Sequence, residues 1–144
     1  MRPDHLLAAK APHAALQRTA GSFSAALVAA QEGHRDTAVL SVRGEIGLET
    51  TPMLLELLLP VLEHGTSAVV MDLSDVPFMD SSGVHFLVDT FRRLRDQNRR
   101  LAIACRERGQ VQRLLALVGL VDALPVHWSR ESALTEGEDD PVGL

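Results

Sequence analysis

Three things are scarce in this 144-residue chain: cysteine, aromatic rings and net positive charge. The one cysteine, Cys105, excludes an internal disulfide and a multi-cysteine zinc site. It lies in the apolar run Leu101-Ala102-Ile103-Ala104-Cys105 and reads as a small buried hydrophobe, not a reactive thiol. Aromatics are 3% of residues, with one Trp and no Tyr, too few for a platform that stacks bases or sugars. A net charge of −5 argues against direct nucleic acid binding by electrostatics. No stretch approaches the ~20 apolar residues of a membrane span. No signal-peptide core follows Met1-Arg2-Pro3-Asp4-His5, so the expectation is a cytoplasmic protein without membrane contact.

What is present suits one α/β domain. Hydrophobic residues make up 46%, and a chain of this length buries a core without covalent staples. Residues 1–21 are Ala-rich with scattered His, Lys and Arg, and read as an N-terminal extension that frays or forms a loose helix. The end of the chain, Thr135-Glu136-Gly137-Glu138-Asp139-Asp140-Pro141, is acidic, so 136–144 reads as a solvated tail. The folded domain is expected over 22–135.

Within it, strand and helix patterns alternate. Phe23–Ala29 reads as a first, edge strand, and Ala38–Arg43 as a second with a Gly44 stop. Thr51 suits an N-cap and Pro52 the first helical position, ahead of Leu54, Leu57, Leu58, Val61 and Leu62 at helical spacing. Gly65 ends that helix. Ala68–Leu73 is a continuous apolar run, the mark of a strand covered on both faces. Val84, Leu87, Val88, Phe91 and Leu94 form the apolar stripe of a second helix. Leu101–Cys105 is another strand, and Val111, Leu114, Leu115 and Val118 belong to a third helix closed by Gly119. Val126–Trp128 is a short last strand, and Ser129 caps a fourth helix. This order predicts a mostly parallel sheet of about four or five strands covered by about four helices.

The stretch Val69–Gly83, VVMDLSDVPFMDSSG, carries the candidate site. The strand ends near Leu73, a turn with Pro77 follows, Phe78 and Met79 are expected to drop back into the core, and Asp80-Ser81-Ser82-Gly83 opens the helix. Asp and Ser accept the first free N–H groups of a helix, so capping alone accounts for these residue types. Their place adds something more. A helix N-terminus beside the carboxyl end of a parallel strand is where ligands and partners meet open α/β sheets. A phosphate there faces free N–H groups, and phosphoserine adds about −1.5 to −2 charge beside Asp80.

Gly44-Glu45-Ile46, the stretch VVMDLSDVPFMDSSGV and the later LLALVGLVDAL together resemble the STAS-domain anti-sigma factor antagonists of bacteria, over about residues 22–135. The resemblance implies a single STAS domain and a regulator that is not an enzyme and needs no cofactor or metal. It implies that Ser81 is phosphorylated by a cognate anti-sigma factor, itself a serine kinase. The unphosphorylated protein binds that kinase and frees a sigma factor; a phosphoserine phosphatase resets the switch. Asp80 then orients or complements the acceptor, Ser82 caps, Gly83 permits close approach, and Glu45 and Gly47 belong to the same partner surface. The expected state is a monomer or weak dimer.

Two positions depart from the family pattern. Many relatives carry Asp after the Gly-Glu-Ile/Leu segment, where this chain has Gly47. Relatives usually have a small residue where this chain has His85, at i+4 from Ser81. His85 is either an exposed polar residue or a group that alters partner choice or pairs with phosphoserine. His5, His13, His34, His64 and His127 show no metal-ligand spacing. Arg92, Arg93, Arg95, Arg99 and Arg100 read either as a solvated helix end or as a basic partner patch. The competing function is a non-switching STAS module in a larger sensory assembly, or a ligand-binding regulator using the same surface. Hydrolase chemistry lacks its Gly-x-Ser-x-Gly elbow, and no Gly-rich phosphate loop is present.

Overall fold

The computed structural model describes residues 16–29, 36–63 and 65–139, with side chains described as far as Thr135. In chain order the elements are β1 (Leu16–Ala20), β2 (Phe23–Ala29), β3 (Thr37–Arg43), α1 (Thr51–Glu63), β4 (Ala68–Asp75), α2 (Ser81–Asp96), β5 (Arg100–Ala104), α3 (Gln110–Leu117), β6 (Val126–His127) and α4 (Arg130–Asp139). The six strands form one sheet in the order β1-β2-β3-β4-β5-β6. The first two pairings are antiparallel and the remaining three parallel.

The expected α/β architecture and its four helices are present, with one strand more than anticipated. Phe23–Ala29 is a strand at the expected bounds, but it is not the edge. Leu16–Ala20, assigned from sequence to the N-terminal extension, pairs with it residue for residue from Leu16 opposite Leu27 to Ala20 opposite Phe23. Four of the five β1 residues are exposed, so the strand has no apolar alternation to betray it; backbone pairing holds it. Arg18 adds an ion pair to Glu56 of α1 at 3.0 Å. At the other end α4 runs to Asp139, into the segment expected as tail.

Alternation along the strands divides the sheet faces. Leu40, Met71 and Ile103 stand side by side in register and face the main core with Leu54, Leu58, Leu87, Leu94, Val111 and Leu115 from α1, α2 and α3. The intervening Val39, Val70, Ala102 and Ala104 face the other way, onto Ala133 of α4. That is why β4 reads as an unbroken apolar run. Cys105 is fully buried, and burial pushes its thiol up to about 11, in keeping with an inert small hydrophobe.

Two arginines tie helices to this frame. Arg99, counted from sequence in a surface cluster, turns inward instead. Its guanidinium donates to the carbonyls of Val61, Leu62 and Thr66 around the end of α1. That last turn has no basic residue of its own, so its open carbonyls are served from 37 residues away. Arg130, at the start of α4, donates to Asp72 of β4 at 2.8 Å and to Ser41 of β3. Burial alone would raise the Asp72 carboxyl. Hydrogen bonds from the Ser74 hydroxyl and N–H, together with Arg130, hold it below the usual carboxylate range.

Candidate functional site

The parallel strands β3 to β6 all end on one side of the sheet, and the loops there build the site. Gly44 lets β3 turn. Its φ is +94°, and a Cβ would meet the Phe23 and Ser22 backbones at 2.9 Å. Ile46 then forms a lone parallel bridge to Met79. Ile46 N–H donates to the Phe78 carbonyl at 3.0 Å, and Asp80 N–H donates to the Ile46 carbonyl at 3.1 Å. Thr50 closes the first loop, its hydroxyl accepting from Gly47 N–H at 2.9 Å.

The opposite side of this bridged segment, residues 78–80, is filled by a side chain. Met79 N–H donates to Gln110 Oε1 at 2.8 Å, and Gln110 Nε2 donates to the Met79 carbonyl at 2.9 Å. The backbone of 78–80 is thus held on both sides, by Ile46 on one and the Gln110 amide on the other. Met79 points inward and is fully buried, whereas Phe78 is 46% exposed. The expectation that both enter the core fails for Phe78, because consecutive residues of an extended segment face opposite ways.

Asp80 caps α2. Its backbone is extended, and its Oδ1 accepts from Ser82 N–H at 2.8 Å. The capping role expected of Ser82 therefore belongs to Asp80, while Ser82 is the second residue of the helix and half-buried. Ser81 is the first helical residue and exposed, so its hydroxyl stands in solvent at the positive end of a 16-residue helix. Gly83 is buried. A Cβ there would lie 2.2 Å from Met79 Cγ and 3.0 Å from Ile46 Cγ2. The close approach it permits is to the protein's own interior. His85 is exposed one turn beyond Ser81, and Glu45 is exposed on the facing loop.

Gly47 lies against the cap. A Cβ at this position would stand 3.0 Å from Asp80 Oδ2, so glycine leaves the second carboxylate oxygen uncrowded. The two sequence departures thus fall on either side of Ser81: Gly47 at its neighbour's carboxylate, His85 along the helix. Leu48, on the same loop as Gly47, is 77% exposed and escaped the sequence reading, as did Gln110. A lone aliphatic residue between Gly47 and Glu49 in a polar loop was the available signal for Leu48. Next to the site, a cleft of about 680 Å³ opens between the ends of β3 and β4 and the start of α3, bordered by Arg43, Glu45, Asp75, Arg106 and Gln110.

Among the described residues no cluster of His, Cys, Asp or Glu has the geometry to hold a metal ion. No described helix is long and apolar enough to cross a membrane. His127 meets the Ser132 hydroxyl at 2.9 Å; His5, His13, His34 and His64 lie outside the described residues. Arg95 lies over the Phe91 ring at 5.7 Å and beside Asp96, on an otherwise solvated helix end.

A sheet of this topology, with a helix launched from an Asp-Ser-Ser-Gly turn at its carboxyl edge, is the STAS domain. The family model matches residues 28–133, and the chain belongs to that family. Among curated relatives, it is 34% identical over 99 residues to the anti-sigma-B factor antagonist of Staphylococcus epidermidis, covering 68% of this chain and 90% of that one. Among solved structures, an anti-sigma factor antagonist from Mycobacterium paratuberculosis superposes with a TM-score of 0.72 at 29% identity, over 84% of this chain and 98% of that one. The unphosphorylated anti-sigma factor antagonist SpoIIAA shares the fold, with a TM-score of 0.65 at 19% identity over 81% and 98% of the two chains.

Proposed function

We propose that this chain is an anti-sigma factor antagonist whose binding is switched off by phosphorylation of Ser81. The observation that carries the reading is the position of Ser81: exposed, first in α2, and directly after a short bridged segment held on both sides. In the unmodified protein Leu48, on the Gly47 loop, and Phe78, three residues before Ser81, are exposed apolar side chains of the kind a protein partner covers. That partner is an anti-sigma factor serine kinase, and its sequestration frees a sigma factor.

In the transfer step Ser81 Oγ bonds to the γ-phosphorus of ATP held by the kinase. The bond from that phosphorus to the β-phosphate bridging oxygen breaks, ADP leaves, and the hydroxyl proton passes to a base on the kinase. The product carries about −1.5 to −2 charge next to Asp80. The helix N-terminus tolerates that charge, so the fold survives, whereas a partner surface complementary to the hydroxyl does not. His85, exposed and at i+4 from Ser81, is the side chain of α2 that would pair with the phosphate. A phosphoserine phosphatase restores the binding form. Glu45, Gly47, Ser82 and Gly83 shape the surface or its support, and the protein acts as a monomer or weak dimer in the cytoplasm.

The test is capture of partners from the native host by wild type, Ser81→Ala and Ser81→Asp, with the phosphate mapped by mass spectrometry and His85→Ala carried alongside. The expected result is a kinase-type anti-sigma factor held by the Ala variant, released by the Asp variant and able to phosphorylate Ser81. Equal capture by all three overturns the switch. Co-purification as a large particle instead favours a non-switching assembly module. Unchanged kinase affinity and phosphorylation rate in His85→Ala would remove His85 from the mechanism.

A further inference from the structure

The pair of hydrogen bonds between Gln110 and Met79 has no counterpart in the switch as described, and it is unusual in kind. A parallel sheet ends its hydrogen bonding where its strands end. Here the ladder extends beyond β4 because one amide side chain presents an acceptor and a donor to a single residue, as a neighbouring strand would. Gln110 is the first residue of α3, whose N-cap, Gly109, makes no side-chain cap. The Gln110 amide is committed to Met79, two residues before Ser81. On the other edge Ile46 holds Phe78 and Asp80. The acceptor segment is therefore fixed by the loop after β3, through Ile46, and by α3, through Gln110.

We infer that Gln110 is the positioning residue of the Ser81 switch: it holds the acceptor segment in the one backbone conformation that the kinase accepts. This rests on the phosphorylation reading above. The reason lies in the phosphoryl-transfer geometry. The incoming oxygen must sit nearly in line with the breaking bond, and a displacement of about 1 Å can cost on the order of a hundredfold in rate. Asp80 fixes the helix behind Ser81, but the direction in which the segment enters the cap is set by Met79. Without the Gln110 amide, the Met79 N–H and carbonyl turn to water in the adjoining cleft, and Ser81 samples several positions.

The experiment uses the full-length chain with Gln110→Ala and Gln110→Glu, assayed with ATP and the kinase recovered with Ser81→Ala. Amide hydrogen exchange is read by NMR on the same samples. In Gln110→Ala, Met79 N–H loses protection while Asp80 N–H, bonded to Ile46, and Met71 in the core keep theirs. The kcat for Ser81 phosphorylation falls roughly tenfold to a hundredfold with KM little changed. Gln110→Glu keeps an acceptor for Met79 N–H and recovers that protection and part of the rate. A wild-type rate in Gln110→Ala, or a Gln110→Glu rate no better than that of Gln110→Ala, overturns the inference while leaving the switch intact. A wild-type chain that takes no phosphate on Ser81 removes the switch and this inference together.

Discussion

Replacing Gly83 by alanine adds one methyl group where the interior has no room. The new Cβ would stand 2.2 Å from Met79 Cγ, 2.5 Å from Met79 Sδ and 3.0 Å from Ile46 Cγ2. Comfortable carbon contacts begin near ~3.5 Å, so the overlap with Met79 exceeds about 1 Å. Met79 has no exit, because it is fully buried and its backbone is held on both edges. Overpacking of this kind costs about 1–3 kcal/mol. Alanine's helix preference over glycine returns up to about 1 kcal/mol. The net expectation is a loss of about 1–2 kcal/mol, read in urea unfolding as a midpoint lowered by roughly 0.5–1 M at unchanged slope. The same change on a Met79→Ala background meets no obstacle from that side chain and should be neutral or slightly stabilising. A neutral Gly83→Ala in the wild-type background, or an equal cost in both, would refute the packing argument.

Two further perturbations test the frame around the site. Arg99→Ala leaves the carbonyls of Val61, Leu62 and Thr66 without their charged donor and should lower stability by about 1–3 kcal/mol, with Arg99→Lys recovering only part; thermal unfolding measures both. Asp72 is held below its ordinary value of 3.8, so its contribution to stability is complete above that value and is lost as the pH falls through the lower folded value. Asp72→Asn should therefore cost about 1 kcal/mol at neutral pH, a figure reduced for the half-exposed Arg130 partner, and almost nothing at a pH below the folded value. Urea unfolding across acid pH checks this, and a gap that persists in acid would count against it.

The alternation of strands and helices, the Asp-Ser-Ser-Gly turn and most element bounds were legible in the chain because each depends on near neighbours. Leu54, Leu57, Leu58, Val61 and Leu62 are buried as their spacing foretold. Gly119, in the left-handed region at φ +80°, closes α3, and Ser129 accepts from Ser132 N–H to cap α4. What escaped was set by partners far along the chain. β1 is a strand because β2 offers it an edge, not because its own side chains alternate.

Phe78 faces outward because Ile46 and Gln110 impose an extended backbone on residues 78–80, and extension sends Phe78 and Met79 to opposite sides. Arg99 reads as one of five surface arginines until α1 brings its open carbonyls alongside. The serine at the strand-to-helix junction was written in the sequence, since a cap and a helix start are local. Its support was not: Gln110 reaches Met79 from 31 residues away, and Gly47, on the neighbouring loop, leaves the space beside the Asp80 carboxylate that a Cβ would crowd. Contacts of that kind come into being only when the sheet aligns its strand ends, so local sequence decided which residue is offered and tertiary structure decided how firmly it is held.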